Sequence, residues 1–296
     1  MKKQMYIALF LLSLVGSPVF AAQSTIMDSE GTACMGDDRS KKQTEQAALL
    51  DAKKRAVECA STYIKTETGV KNFILEKDLV SAYSGAEVKV LQELERSWYQ
   101  EPSTGNCCRT RIRAEVIPNQ RVFEKMTSST ANALDDPSAP LIVKAWTDKK
   151  AYTMGEKVRV SIKGNKPFYA KVIYKDAGGE LLQILPNPHR AENYFHGGTV
   201  YDIPTKDDTF ELEVSPPFGE ETVLVYASTS PLGEIRTEAH GGVYEVKTEL
   251  VEIGVQVKDI NLIADKDSGK APVHATSKPA ASEFFEDAII VKTVGK

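Results

Sequence analysis

The chain is poor in the residues that reactive sites are built from. Its 296 residues hold four histidines, four cysteines and two tryptophans. No HExxH pair is set up for zinc and no GxSxG elbow for a serine nucleophile. Neither GxxxxGK[ST] nor GxGxxG is there to cradle a phosphate. Zinc proteolysis, serine hydrolysis and nucleotide chemistry therefore lack their usual sequence support. A basic surplus is missing too. Lys+Arg number 37 against 41 Asp+Glu, a formal net charge of −4. Nucleic-acid binders need the opposite balance. After the first twenty or so residues no apolar run approaches the ~20 residues that cross a bilayer.

What is present begins at the N-terminus. Lys2 and Lys3 precede an apolar stretch from Met5 to Val15, then Gly16-Ser17-Pro18, then the small-residue ending Val19-Phe20-Ala21. This pattern predicts a cleavable secretory signal over 1–21 and a periplasmic or secreted mature chain with no transmembrane segment. No cysteine follows the expected cut, so no lipid anchor is expected there.

In an oxidising compartment Cys34, Cys59, Cys107 and Cys108 read as two disulfides, with three pairings open. A zinc site would want CxxC-like spacing, which an adjacent pair does not supply. Cys107 and Cys108 begin a stretch in which Cys108, Thr110, Ile112, Ala114 and Val116 alternate with Arg109, Arg111, Arg113 and Glu115. Period two predicts a half-buried strand whose successive side chains face apart. The neighbours should then bond different partners: Cys59 with Cys108, and Cys34 with Cys107. The arginine face is expected to pair with Glu93 and Glu95 on a preceding strand over Glu87–Trp98.

The fold class expected is an α+β domain, a helix on a small antiparallel sheet, over 23–124, followed by an all-β sandwich over 141–257. In the first, Ser40 and Gln43 form a capping box. A helix follows with Ala47, Leu50, Val57, Ala60 and Ile64 on its apolar side. Residues 125–140, rich in Ser, Thr, Asp and Pro, read as a linker. The second unit is a run of short β-branched and aromatic strands between turn signals such as Gly164-Asn165 and Gly178-Gly179. "YEVKTELVEIGVQV" is ambiguous between strand and helix. Residues 258–296 read as a flexible tail, with "AIIVKTV" a possible edge strand.

Candidate chemistry is sparse. His189, Glu192, His196 and His240 lack ordered metal-ligand spacing. Asp265 to Gly269 begins like a calcium loop, but Thr276 stands where the twelfth-position acid belongs. The two His-Gly-Gly tripeptides, at 196–198 and 240–242, read as glycine turns. No catalytic residue, metal site or cofactor is assigned. The long connection Pro186–Tyr201 is the best binding candidate, with Arg190, Asn193, Tyr194, Phe195, His196 and Tyr201 suited to recognition. The plainer alternative is that Tyr194 and Phe195 plug the end of the sandwich.

Two resemblances add to this reading. Trp146-Thr147-Asp148-Lys149, Tyr152, Gly155-Glu156, Lys166 with Tyr169, Asp176 with Gly178, Leu185-Pro186-Asn187 and Pro216-Pro217-Phe218-Gly219-Glu220 make 141–230 resemble DUF4384, a domain of unknown function. The resemblance implies a β-sandwich of exported bacterial proteins and carries over no catalytic residue. The helix "AALLDAKKRAVECAS" makes 31–116 similar to the N-terminal domain of the flagellar protein FlgT and its lipoprotein relatives, which implies a role in envelope assembly. The expected function is that of a noncatalytic exported protein that contacts an envelope protein partner, with no nucleic acid involved. The alternative is a glycan- or small-ligand-binding protein, or an uncharacterised hydrolase, using the 186–201 loop.

Overall fold

A computed structural model describes residues 22–67, 80–129, 133–240, 242–258 and 281–296. The expected signal over 1–21, the Asp265–Gly269 stretch with Thr276, and Gly241 lie outside the described residues. In chain order the elements are β1 (Ala22–Cys34), α1 (Lys41–Glu67), β2 (Glu87–Glu101), β3 (Gly105–Ile117), α2 (Gln120–Ser129), a 3-10 turn (Ala133–Asp135), β4 (Val143–Thr147), β5 (Ala151–Thr153), β6 (Lys157–Val158), β7 (Val160–Gly164), β8 (Phe168–Lys175), β9 (Leu181–Leu185), β10 (Tyr194–Phe195), β11 (Val200–Ile203), β12 (Leu212–Glu213), β13 (Glu220–Ser228), β14 (Thr237–His240), β15 (Val243–Val246), α3 (Leu250–Gln256) and β16 (Ala281–Val294).

One large sheet carries the order β14-β15-β9-β8-β13-β16-β1-β3-β2, with β10 added to β8 and β5 to β16. The smaller sheet β11-β7-β4 and the ribbon β12-β6 stand apart from it in the strand pairing. The C-terminal part is all-β up to α3, as expected. The division into two separate modules does not appear in the sheet. β16 pairs antiparallel with β1 through Ala281–Glu286 and with β13 through Phe284–Lys292. It is an interior strand, where an edge strand was expected. Its side chains enter more than one core. Phe284 packs with Ile26, Tyr226 and Ile253 under α3, while Phe285 and Val291 join Val160, Phe168 and Val225 in the sandwich. The Glu283 carboxylate accepts hydrogen bonds from the Leu141 backbone N–H and from Lys166 Nζ at 2.9 Å. The end of the expected linker, 136–140, is also tied down: Asn165 Nδ2 donates to the carbonyls of Asp136, Ala139 and Pro140.

The capping box of α1 forms, with Ser40 N–H donating to Gln43 Oε1 at 2.8 Å and Gln43 N–H to Ser40 Oγ at 3.3 Å. The apolar side differs from expectation. The buried stripe is Ala48, Ala52, Ala56, Ala60 and Ile64, and Leu50 points to solvent. The reason is distance. A Cβ on Gly31 of β1 would lie 2.0 Å from the Ala52 backbone nitrogen and 2.3 Å from the Ala48 carbonyl oxygen. At that closeness only a stripe of small residues at i, i+4 spacing fits between helix and sheet. The ambiguous stretch splits into strand β15 and helix α3.

On the arginine face of β3, Arg109 and Arg111 are exposed, while Arg113 is largely buried and Glu115, expected outside with them, is buried against Ser24 and Lys258; the arginines' partners lie on the other side. Arg109 pairs with Glu30 at 3.2 Å, and Arg111 and Arg113 with Asp28 at 3.6 and 2.9 Å, all on β1. Bulges in β2 at 90–92 and 93–95 set Glu93 opposite Ile112 and leave Glu95 opposite Arg111, since each puts an extra residue into one strand.

Candidate functional site

Cys34 and Cys107 occupy paired positions on β1 and β3 and are joined as a disulfide. Cys59 and Cys108 are free thiols, so the second expected bond is absent. Height along the sheet explains it. Gly31, which touches Ala48 and Ala52, pairs with Thr110, and Cys108 lies two pairs further toward the start of α1. Cys59 lies about two turns past Ala52 in the opposite direction, at about 1.5 Å per residue. A disulfide bridges Cα atoms about 4.4–6.8 Å apart. Among the described residues, Cys34, Cys107 and Glu101 also form the one group whose ligand atoms cluster closely, all within 4.8 Å. The two sulfurs are spent on each other.

In the 186–201 loop, β10 adds to β8 with Tyr194 opposite Tyr169 and Phe195 opposite Phe168. Alternation then sorts the side chains. Phe195 is buried, stacked on Phe168 at 5.3 Å and edge-on to Tyr201 at 4.9 Å. The Tyr201 hydroxyl accepts from the His196 N–H at 3.2 Å, and the Asn193 carbonyl accepts from the Ala170 N–H at 2.8 Å. Arg190 pairs with Asp208 at 3.0 Å and lies 5.7 Å from the Phe195 ring centre. Of the six candidates, Arg190, Asn193, Phe195 and Tyr201 thus build the loop. Tyr194 and His196 stay exposed, with ring centres 5.5 Å apart and Tyr169 beside them at 5.0 Å from Tyr194. The His-Gly-Gly turn uses both glycines: Gly198 adopts φ +78°, as expected, and a Cβ on Gly197 would lie 2.5 Å from Lys166 Cα.

A cleft of about 430 Å³ lies at the open end of the sandwich. Its floor continues the sandwich core: Val158 of β6, Ile184 of β9, Leu212 of β12, Val214 and Val223. Asp176 and Glu180 from the β8–β9 turn, and Glu211 and Glu213 flanking Leu212, supply carboxylates around it. Glu221 is buried at its base, accepting hydrogen bonds from the Tyr174 hydroxyl and from Thr293 Oγ1 at 2.9 Å. Burial, and then the Glu221 carboxylate, hold the Tyr174 phenol above its ordinary range. A phenol so held stays protonated and donates its hydrogen bond to Glu221. His189 lies over Phe210 at 6.1 Å among the lining residues. Among the described residues no lysine or arginine lines the cleft.

Residues 151–231 match the family model of a domain of unknown function, DUF4384. That span is less than half of the chain, and it contains every lining residue of the cleft except Gly242 and Val243. The resemblance to DUF4384 is thereby supported, and that of the N-terminal half to FlgT is not. Neither the curated proteins nor the solved structures hold a match to the chain. No helix among the described residues is long and apolar enough to cross a membrane.

Sequence reasoning missed the cleft while finding its strands. The signal was present in "TFELEV", where Glu211 and Glu213 alternate with Phe210, Leu212 and Val214. Alternation tells which side chains share a face. It does not tell that the apolar face stays uncovered at one end.

Proposed function

We propose that the chain is a noncatalytic exported protein that binds an envelope protein partner through the open end of its DUF4384 region. The observation that carries this reading is the cleft, whose apolar floor is continuous with the core and partly exposed at Leu182 and Leu212. Exposed apolar concavities of this size are where proteins take up partners or ligands. The secretory pattern of 1–21 and the Cys34–Cys107 disulfide support the location, since disulfides persist in oxidising compartments. Photo-crosslinking in intact cells, followed by fractionation, tests it. The expected result is a mature chain that starts near Ala22, resides outside the cytoplasm and carries one defined protein adduct. A full-length chain in the cytoplasm would contradict it.

A second reading rests on the exposed Tyr169-Tyr194-His196 shelf, since stacked exposed rings suit the apolar faces of sugars. Glycan binding abolished by Tyr194→Ala, with unchanged thermal unfolding, would favour it. Tyr194 is 43% exposed, so this truncation costs little stability.

A further inference from the structure

The cleft does more than expose apolar surface; its charge is one-sided. Five carboxylates line it, those of Asp176, Glu180, Glu211, Glu213 and Glu221, and the sole residue of basic type in the lining is His189. Their engagements within the fold are unequal. Glu221 is satisfied by Tyr174 and Thr293. Glu211 is paired with Lys157 at 2.6 Å, with both groups more than half exposed. Asp176 Oδ1 accepts from the Glu180 N–H at 2.7 Å, which shapes the turn and leaves the charge in place. Glu180 and Glu213 are exposed. The protein thus holds several negative charges around an apolar floor, where low-dielectric walls strengthen their summed field.

We infer that the cleft seats a basic side chain, arginine or lysine, presented by the partner polypeptide. This rests on the binding role proposed above and names the chemistry that the partner must bring. Both halves of such a side chain have a place. The methylene stem lies along Val158, Leu182 and Leu212, as long basic side chains do on apolar surface. The charged head meets the carboxylates of Glu180 and Glu213, where charge complementarity sets orientation and association rate. Arginine is favoured because its guanidinium sheds water more readily and can engage two carboxylates at once.

The test uses the full mature chain and a fluorescein-labelled probe, acetyl-(Leu-Arg)4-amide, followed by anisotropy at ~0.05 M salt. Acetyl-(Leu-Gln)4-amide is the matched neutral probe. The arginine probe is expected to bind at least about tenfold tighter than the glutamine probe. Glu180→Gln/Glu213→Gln should weaken it about tenfold, whereas Asp37→Asn/Asp38→Asn, in the exposed turn before α1, should leave it unchanged. Raising salt to ~0.5 M should erase most of the preference. If the double variant fails to fold, Val243→Lys serves instead. It sets a resident ammonium beside the cleft at a position already 41% exposed, and should block the probe. Equal binding of the two probes, or equal loss in the Asp37/Asp38 control, overturns the inference. If cells still yield a defined partner in that case, the binding role stands and only the charge assignment falls.

Discussion

Gly31 sets the distance between α1 and the sheet. With the Ala52 nitrogen 2.0 Å from where its Cβ would be, Gly31→Ala must push the helix off β1 and open the alanine seam. The expected loss is about 3 kcal/mol, the upper end for overpacking, read as a lower urea midpoint. The cysteines give a sharper test. Alkylation of the unfolded, unreduced chain should label two thiols, Cys59 and Cys108; no label would mean that they pair after all. Removing the bond by Cys34→Ser releases a closure spanning 73 residues, worth about 4 kcal/mol in the chain-entropy account. At Glu286, burial raises the carboxyl above the ordinary carboxylate range, with Lys258 opposing the effect and Glu115 adding to it. The folded state therefore holds this proton more tightly than the unfolded chain. The stability that Glu286 contributes is complete below about pH 4.5 and is lost as pH rises through its folded-state pKa. Glu286→Gln should flatten that part of the stability curve and leave the protein more stable than the parent at pH 7.

At the scale of elements, β16 matters most. It sits between β13 and β1 and sends Phe284, Phe285 and Val291 into two cores. A chain ended at residue 280 should fail to fold in both halves, with native far-ultraviolet dichroism restored by adding the peptide 281–296. A soluble, native-like chain ended at 280 would contradict the topology. The sequence announced this strand by "AIIVKTV" but not its place, because alternation reports which face a side chain takes and not which strands lie beside it. The same gap appears in α1. Its cap was legible in Ser40 and Gln43, whereas the burial of the alanines in place of Leu50 depended on Gly31, distant in sequence. It appears again in β3, where the period showed the arginine face but not that Asp28 and Glu30 would meet it. The binding candidates divide for a related reason. Aromatic and polar residues in a long connection mark both recognition loops and loops that close a core, and here Phe195 and Tyr201 close the core while Tyr194 and His196 stay outside.

At the scale of the whole molecule, one large sheet is shared between the N-terminal helix layer and the sandwich, with the sheet β11-β7-β4 and the ribbon β12-β6 outside its pairing. Two modules on a linker would melt separately; strands hydrogen-bonded across a common β16 should melt together. Calorimetry should show one transition, with calorimetric and van't Hoff enthalpies equal, and two resolved transitions would restore the modular view. The cleft is lined from β8, β9 and β13, whereas α1 packs on β1 and β3. The most direct test places a photo-crosslinking side chain at Val243, beside the cleft, and in a separate chain at Leu50, equally apolar and 68% exposed on α1. In intact cells the Val243 probe is predicted to capture one envelope protein, at a peptide whose arginine or lysine adjoins the crosslink, and the Leu50 probe to capture none. Capture at Leu50 alone, or the same adducts from both positions, would contradict the account.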